Sequence, residues 1–271
     1  MHNTELNAAA ATPSVWQAIE WQAPWLQPYQ ALGEQLRRLQ AAQPQLSVAG
    51  LLNQLAQHSG LAASAQARRF VPQTDLPEGE AYEAFIARTA CVPTRDNLHD
   101  ALNGLVWHRL PQTKARFNAL QAQAIAQLGV GAKRGALRDA LTLFDENGAV
   151  LFAPEPLWQA LQARQWQRLF VELRPLWGDA QLLLIGHALL EKLTQPRKPI
   201  TAHVFCHPLS GRLEQNSDTA IAQSLDAARL ASKPFTPLPV LGVPGWSQEN
   251  ENFSFYDDVS VFRAARLPEP R

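Results

Sequence analysis

Within PTRDNLHDALNGLVWHRLPQTK, residues 93–114, the chain gathers Arg95, Asp96, Asn97, His99, Asp100 and Asn103 just ahead of the apolar run Leu105–Val106–Trp107. His99 and Asn103 are four residues apart, so in a helix they stack on one face; Asp96 and Asp100 form a second such pair about 100° round the axis. A histidine beside a carboxylate can serve as an acid–base pair or contribute to a metal site. Arg95 adds a planar donor suited to carboxylate or phosphate, near N–H groups of a helix start that favour anions. Asn103 and Lys114 complete the expected substrate-binding set. The alternative is structural: an acid capping the helix, an arginine in a salt bridge and a histidine bonded in the core.

A second place carries the same chemistry. His187 and Glu191 share a helical face one turn apart, so they can ligate one ion, or the carboxylate can orient the imidazole. This is not HExxH, and the zinc-protease motif is absent. The expected catalytic residues are therefore His99, Asp100, His187 and Glu191, with a divalent metal as the possible cofactor. Candidate metal ligands are His99, Asp100, His187 and His203.

AHVFCH, residues 202–207, sets His203 and His207 on one face of a strand. Their positions are about 13 Å apart by strand rise, so only one of them can join a given site. Cys206 faces away from both. Asp145 and Glu146, in DENG, read as turn-forming acids. Arg138–Asp139 and Tyr256–Asp257–Asp258 are further polar candidates. No phosphate-loop, dinucleotide or GxSxG signature occurs.

Elements to hold these groups follow from the spacing of apolar residues. Leu32, Leu36 and Leu39 mark an amphipathic helix after Trp16, Trp21 and Trp25, and Ser47 can cap a second helix over 48–58. A short strand is expected at 69–73 and a helix over 80–90. The helix carrying His99 spans about 97–109, with Thr94 or Asp96 as its cap, and 112–129 forms the next. LTLFDENGAVLFA, residues 141–153, reads as a β-hairpin about Asn147–Gly148. Helices are expected at 155–164, 165–175 and 218–230. Residues 181–185 are either a strand entering a helix at Gly186 or part of one long helix. A strand is expected at 200–209, a proline-rich strap at 234–246 and a last strand within 252–263.

The fold expected is α+β and mainly helical, with a small sheet that includes the hairpin near 141–153. Its domains are a disordered tail at 1–14, an N-terminal helical extension at 15–66 and a main α+β domain at 67–271.

Composition bounds the functions available. Lys+Arg and Asp+Glu both total 24, giving zero formal net charge, so binding nucleic acid through bulk charge is not expected. The two cysteines, Cys91 and Cys206, form neither a disulfide framework nor a CxxC zinc motif. The N-terminus lacks a signal-peptide pattern, and no apolar run reaches the ~18–20 residues that span a bilayer. A soluble cytoplasmic protein acting on a small anionic ligand is the expectation, with no membrane partner. Its rival is a non-catalytic binding or scaffold protein held together by buried hydrogen bonds.

Four motifs in order, PTRDNLHDALNGLVWHRLPQTKARFNAL, LRDALTLFDENGAVL, IGHALLEKL and FYDDVSVFR, resemble the uncharacterised bacterial family known as domain of unknown function 3025. The resemblance covers roughly residues 65–263, and differs in having Ala101 and Leu102 where the family carries bulkier aromatics. It implies a bacterial source and no activity. It also implies that Arg95, His99, Asp100, Asn103, Lys114, Asp139, Asp145, His187, Glu191, Asp257 and Asp258 belong to the family's motifs.

Overall fold

Leu137, Leu141 and Phe144 recur at helical spacing and pack inward, and this pattern organises the middle of the chain differently from a hairpin. In the computed structural model, which describes residues 19–61, 67–128, 135–207 and 217–265, they lie on helix α6 (Ala136–Asn147). Residues 141–147 are thus helix, and only the following β3 (Gly148–Phe152) is strand. The expected hairpin is corrected for a physical reason: Asp-Glu-Asn-Gly favours a turn locally, but burial of one continuous helical face outweighs it. The expected tail at 1–14 lies outside the described residues.

Before α6 the order is α1 (Gln30–Ala42), α2 (Val48–His58), β1 (Arg69–Pro72), α3 (Tyr82–Thr89), β2 (Cys91–Thr94), α4 (Leu98–Arg109) and α5 (Pro111–Leu128). After β3 come α7 (Glu155–Gln162), β4 (Gln181–Leu184), α8 (His187–Lys192), β5 (Thr201–His207), α9 (Ser217–Ser224), α10 (Ala227–Ala231) and β6 (Thr236–Pro239). The chain is α+β and mainly helical, as expected.

Two sheets are present among the described residues. β1 and β2 pair in parallel, and the larger sheet runs β4–β3–β5–β6. β3 is parallel to β5 and antiparallel to β4, and every residue of it is buried. The outer strand β6 comes from the proline-rich strap, where Pro237 and Pro239 fit an edge strand that need not donate on both sides. Buried Asn250 anchors the strap's continuation by donating to the Leu241 and Val243 carbonyls at 2.8 and 2.7 Å.

Three further expectations change. Residues 165–175 form a short π-helical turn, Arg168–Glu172, running into 3-10 turns. The helix expected at 218–230 is divided into α9 and α10, because Asp226 caps a new start by accepting from the Arg229 N–H at 2.8 Å. No strand forms within 252–263. Phe255, Tyr256 and Phe262 instead turn inward as an aromatic cluster, with Tyr256 and Phe262 both against Phe170.

α4 is the central helix of the site. Residues Asp100 to His108 are all buried, so it is enclosed all round rather than lying amphipathically on a surface. Gly104 permits this, since a Cβ there would lie 2.3 Å from Leu52 of α2. The two N-terminal helices share the main apolar core, and Tyr29 ties their approach to the sheet by donating to the Leu184 carbonyl at 2.6 Å.

Candidate functional site

Three helix ends meet beside the sheet: the start of α4, the end of α6 and the start of α8. Gly186 makes the meeting possible. A Cβ at this position would lie 2.5 Å from the Glu146 carbonyl oxygen and 2.6 Å from Asn147 Cα. The Ile185 and Gly186 N–H groups both donate to the Gly148 carbonyl at 2.9 Å, fixing the turn from β4 into α8. His187, the next residue, is thereby set against Asp145 and Glu146.

His99, from α4, completes the group. Its Nε2 lies 3.0 Å from His187 Nε2. Glu146 Oε1 is 3.6 Å from His187 Nε2, and its Oε2 is 4.0 Å from His99 Nε2. The outer nitrogens are backed by acids. His99 Nδ1 bonds Glu191 Oε2 at 2.8 Å, and His187 Nδ1 faces Asp145 Oδ2 at 3.9 Å, beyond hydrogen-bond reach. His99, Glu146 and His187 can together hold one metal ion, and their potential ligand atoms lie within 4.8 Å of one another.

Burial shapes the charges. It pushes the His187 imidazole down to about 4, although Asp145 pulls the other way, so His187 is neutral at neutral pH and keeps a lone pair. Burial also holds Glu146 above the usual carboxylate range, against the attraction of His99. For Asp145 burial alone would raise the value, but Lys114 and His187 outweigh it and hold the carboxyl below its ordinary range.

Asp145 and Glu146 occupy the last turn of α6, which has no basic residue. The carbonyl end of a helix is its negative pole, so carboxylates there are unfavourable without a nearby cation. Lys114 meets Asp145 in a close ion pair, and the lysine is buried. Glu146 has no comparable lysine or arginine among the described residues.

The group opens into a cleft of about 500 Å³, whose lining includes Arg95, Asp100, Asn103 and Lys114 as well as the histidines. That is an ordinary size for a small-molecule site. Of the expected catalytic residues, His99, His187 and Glu191 come together. Asp100 is committed elsewhere: Arg95 donates to it through Nη2 at 2.8 Å, Nε at 3.2 Å and its backbone N–H at 2.7 Å. Asn97, not Thr94 or Asp96, caps α4 by accepting from the Asp100 N–H at 2.8 Å. Asp96 serves the start of α2 instead, accepting from Val48 N–H at 2.7 Å. Asn103 donates to the Tyr82 hydroxyl at 3.4 Å, and its buried Oδ1 has no partner among the described residues.

His203, a candidate ligand, is paired with Gly148 across β3 and β5 and does not belong to the ligand group. Neither does Asp100. His207 packs on the Phe152 ring, 5.5 Å between centroids. Burial pushes the Cys206 thiol up to about 12, the reverse of what a nucleophile requires. Asp139 lies in the first turn of α6, while Asp257 and Asp258 bond Gln167 and Lys198 away from the cleft. Glu146 is the residue sequence reasoning missed. The helical spacing of Leu137, Leu141 and Phe144 carried the signal, because it extends the helix through Glu146.

The arrangement is that of an α+β protein with a histidine–carboxylate centre at the base of an open cleft. The chain belongs to the family described as "Protein of unknown function (DUF3025)", whose model matches residues 68–266 and so spans every residue of the centre. No curated protein and no solved structure matches the chain. No helix among the described residues is long and apolar enough to cross a membrane.

Proposed function

We propose that the protein is a cytoplasmic hydrolase-type enzyme whose centre is one divalent cation held by His99, His187 and Glu146. The observation that carries this reading is the 3.0 Å approach of the two imidazole Nε2 atoms with the Glu146 carboxylate beside both. Nitrogens bound tetrahedrally to one zinc-like ion stand about 3.3 Å apart, given bond lengths of roughly 2.05 Å. The spacing of this group is close to that and needs only small side-chain adjustments.

Glu191 and Asp145 support the reading from outside. A ligating histidine commonly presents its second nitrogen to a carboxylate, which fixes the tautomer and raises the basicity of the ligand. Glu191 does this for His99 by direct hydrogen bond, and Asp145 faces His187 from a longer distance. Three protein ligands in an open cleft leave a position for water or substrate. A cation there would supply Lewis acidity toward a carbonyl or acidify a bound water. The protein's own part is orientation, through Gly186, Glu191 and the enclosed helix α4.

The pairs Arg95–Asp100 and Lys114–Asp145 favour a structural role for those four residues. That part of the scaffold reading is retained, and it leaves His99, Glu146 and His187 for chemistry.

The test is to analyse purified protein for metals and to assay hydrolysis of p-nitrophenyl acetate with and without a chelator. One ion per chain and chelator-sensitive turnover are expected. His99→Ala that leaves metal content, turnover and stability all unchanged would sink the reading.

A further inference from the structure

We infer that the cleft takes an uncharged carboxamide or a cationic amidine rather than an anion. The inference rests on the cleft being the active centre and concerns the class of ligand it receives.

Charge carries the argument. Among the described residues, Glu83, Asp100, Asp145 and Glu146 line the cleft, against Arg95 and Lys114 as its lysines and arginines. Both of these cations are already ion-paired to acids of the same cleft. Arg95 forks onto Asp100 at 2.8 and 3.2 Å, and Lys114 is sealed against Asp145. Two N–H groups near the start of α4 are occupied as well, since Arg95 N–H meets Asp100 and Asp100 N–H meets Asn97.

Glu83 and Glu146 are what remain. Neither has a lysine or arginine within ion-pair reach among the described residues. A single divalent ion would balance these two charges and leave no surplus for a phosphate or carboxylate. Glu191, hydrogen-bonded to His99 just behind the centre, adds a further negative charge. An anionic ligand would therefore meet unpaired carboxylates in the cleft.

The rest of the wall matches a ligand with N–H donors and a flat apolar body. Trp107, Phe117 and Tyr82 supply aromatic surface, and the Gln121 amide lines the cleft. A carboxamide offers its carbonyl to a cation at Glu146, and its N–H groups suit the acceptors that line the cleft. An amidine adds positive charge where Glu83 is free.

Benzamidine, benzamide and benzoate are near-isosteres carrying positive, zero and negative charge, so they separate charge from shape. Their dissociation constants can be measured by ligand-observed NMR on the full chain, both chelator-treated and zinc-loaded. Benzamide is expected to bind at least about tenfold more tightly than benzoate, and benzamidine at least as tightly as benzamide. Glu83→Gln should remove benzamidine's advantage while moving benzamide less than about twofold. Benzoate binding as well as benzamide, an unchanged benzamidine preference in Glu83→Gln, or no binding by any of the three would overturn the inference. Failure of zinc to bind with the ranking intact would defeat the metal reading alone and leave this one standing.

Discussion

Nε2 of His99 lies 3.0 Å from Nε2 of His187, although 88 residues separate them in the chain. One comes from the first turn of α4 and the other from the first position of α8. With His99 Nδ1–H donated to Glu191, its Nε2 presents a lone pair toward His187. A second lone pair facing it needs either a shared proton or a shared cation. The Glu146 carboxylate beside both nitrogens favours the cation.

Glu191 should act as a positioning residue for that cation and not as a ligand. Glu191→Gln is expected to weaken zinc binding by about 10–100-fold while retaining one ion per chain. Isothermal titration measures both quantities. Complete loss of binding would make Glu191 a ligand, and no change would remove its role.

Lys114 and Asp145 form a buried pair whose members depend on each other. Lys114→Met should cost roughly 3 kcal/mol in urea unfolding, because it leaves the Asp145 charge uncompensated. The double variant with Asp145→Asn should recover much of the loss. Additive losses would show that the two residues act independently.

Gly186 is expected to tolerate no side chain. Gly186→Ala brings a Cβ onto the Glu146 carbonyl and the Asn147 backbone, so α8 must move away from α6. A stability loss of about 2 kcal/mol or more is expected, together with weaker zinc binding. Wild-type behaviour in both would mean that the helix junction does not set the site.

These same contacts divide what the sequence made legible from what it did not. His99, His187 and Glu191 were identifiable as chemistry-bearing residues because each is polar within an apolar helical stretch. The strand-to-helix change at Gly186 was one of two readings open. Their convergence was not legible, since it depends on α4 and α8 packing together across 88 residues. Glu146 was hidden by Asn147–Gly148, whose hairpin preference is local, whereas the helix it ends is stabilised by packing of Leu141 and Phe144 in the core. Asp100 looked catalytic because sequence cannot show that its oxygens are already used by Arg95.

Acid should destabilise the metal-free protein through its buried histidines. Burial holds both His187 and His108 at about 4, against the ordinary imidazole value of 6.5, so the unfolded chain binds more protons between these values. Stability is therefore fully present above pH 6.5 and is lost as pH falls toward 4. The loss is on the order of 3 kcal/mol per histidine. Urea unfolding across this range, in chelator, should give a shallower pH dependence for His187→Gln than for the natural chain. An equal dependence in both would contradict the burial of His187 as a neutral imidazole.

The most direct test of the centre is titration with cobalt(II), followed by visible absorption. One equivalent should produce the intense bands of a four- or five-coordinate ion, and His99→Ala, His187→Ala and Glu146→Ala should each abolish them. A weak six-coordinate spectrum like that of the aqueous ion, or intense bands that survive all three substitutions, would contradict a cation held by His99, His187 and Glu146.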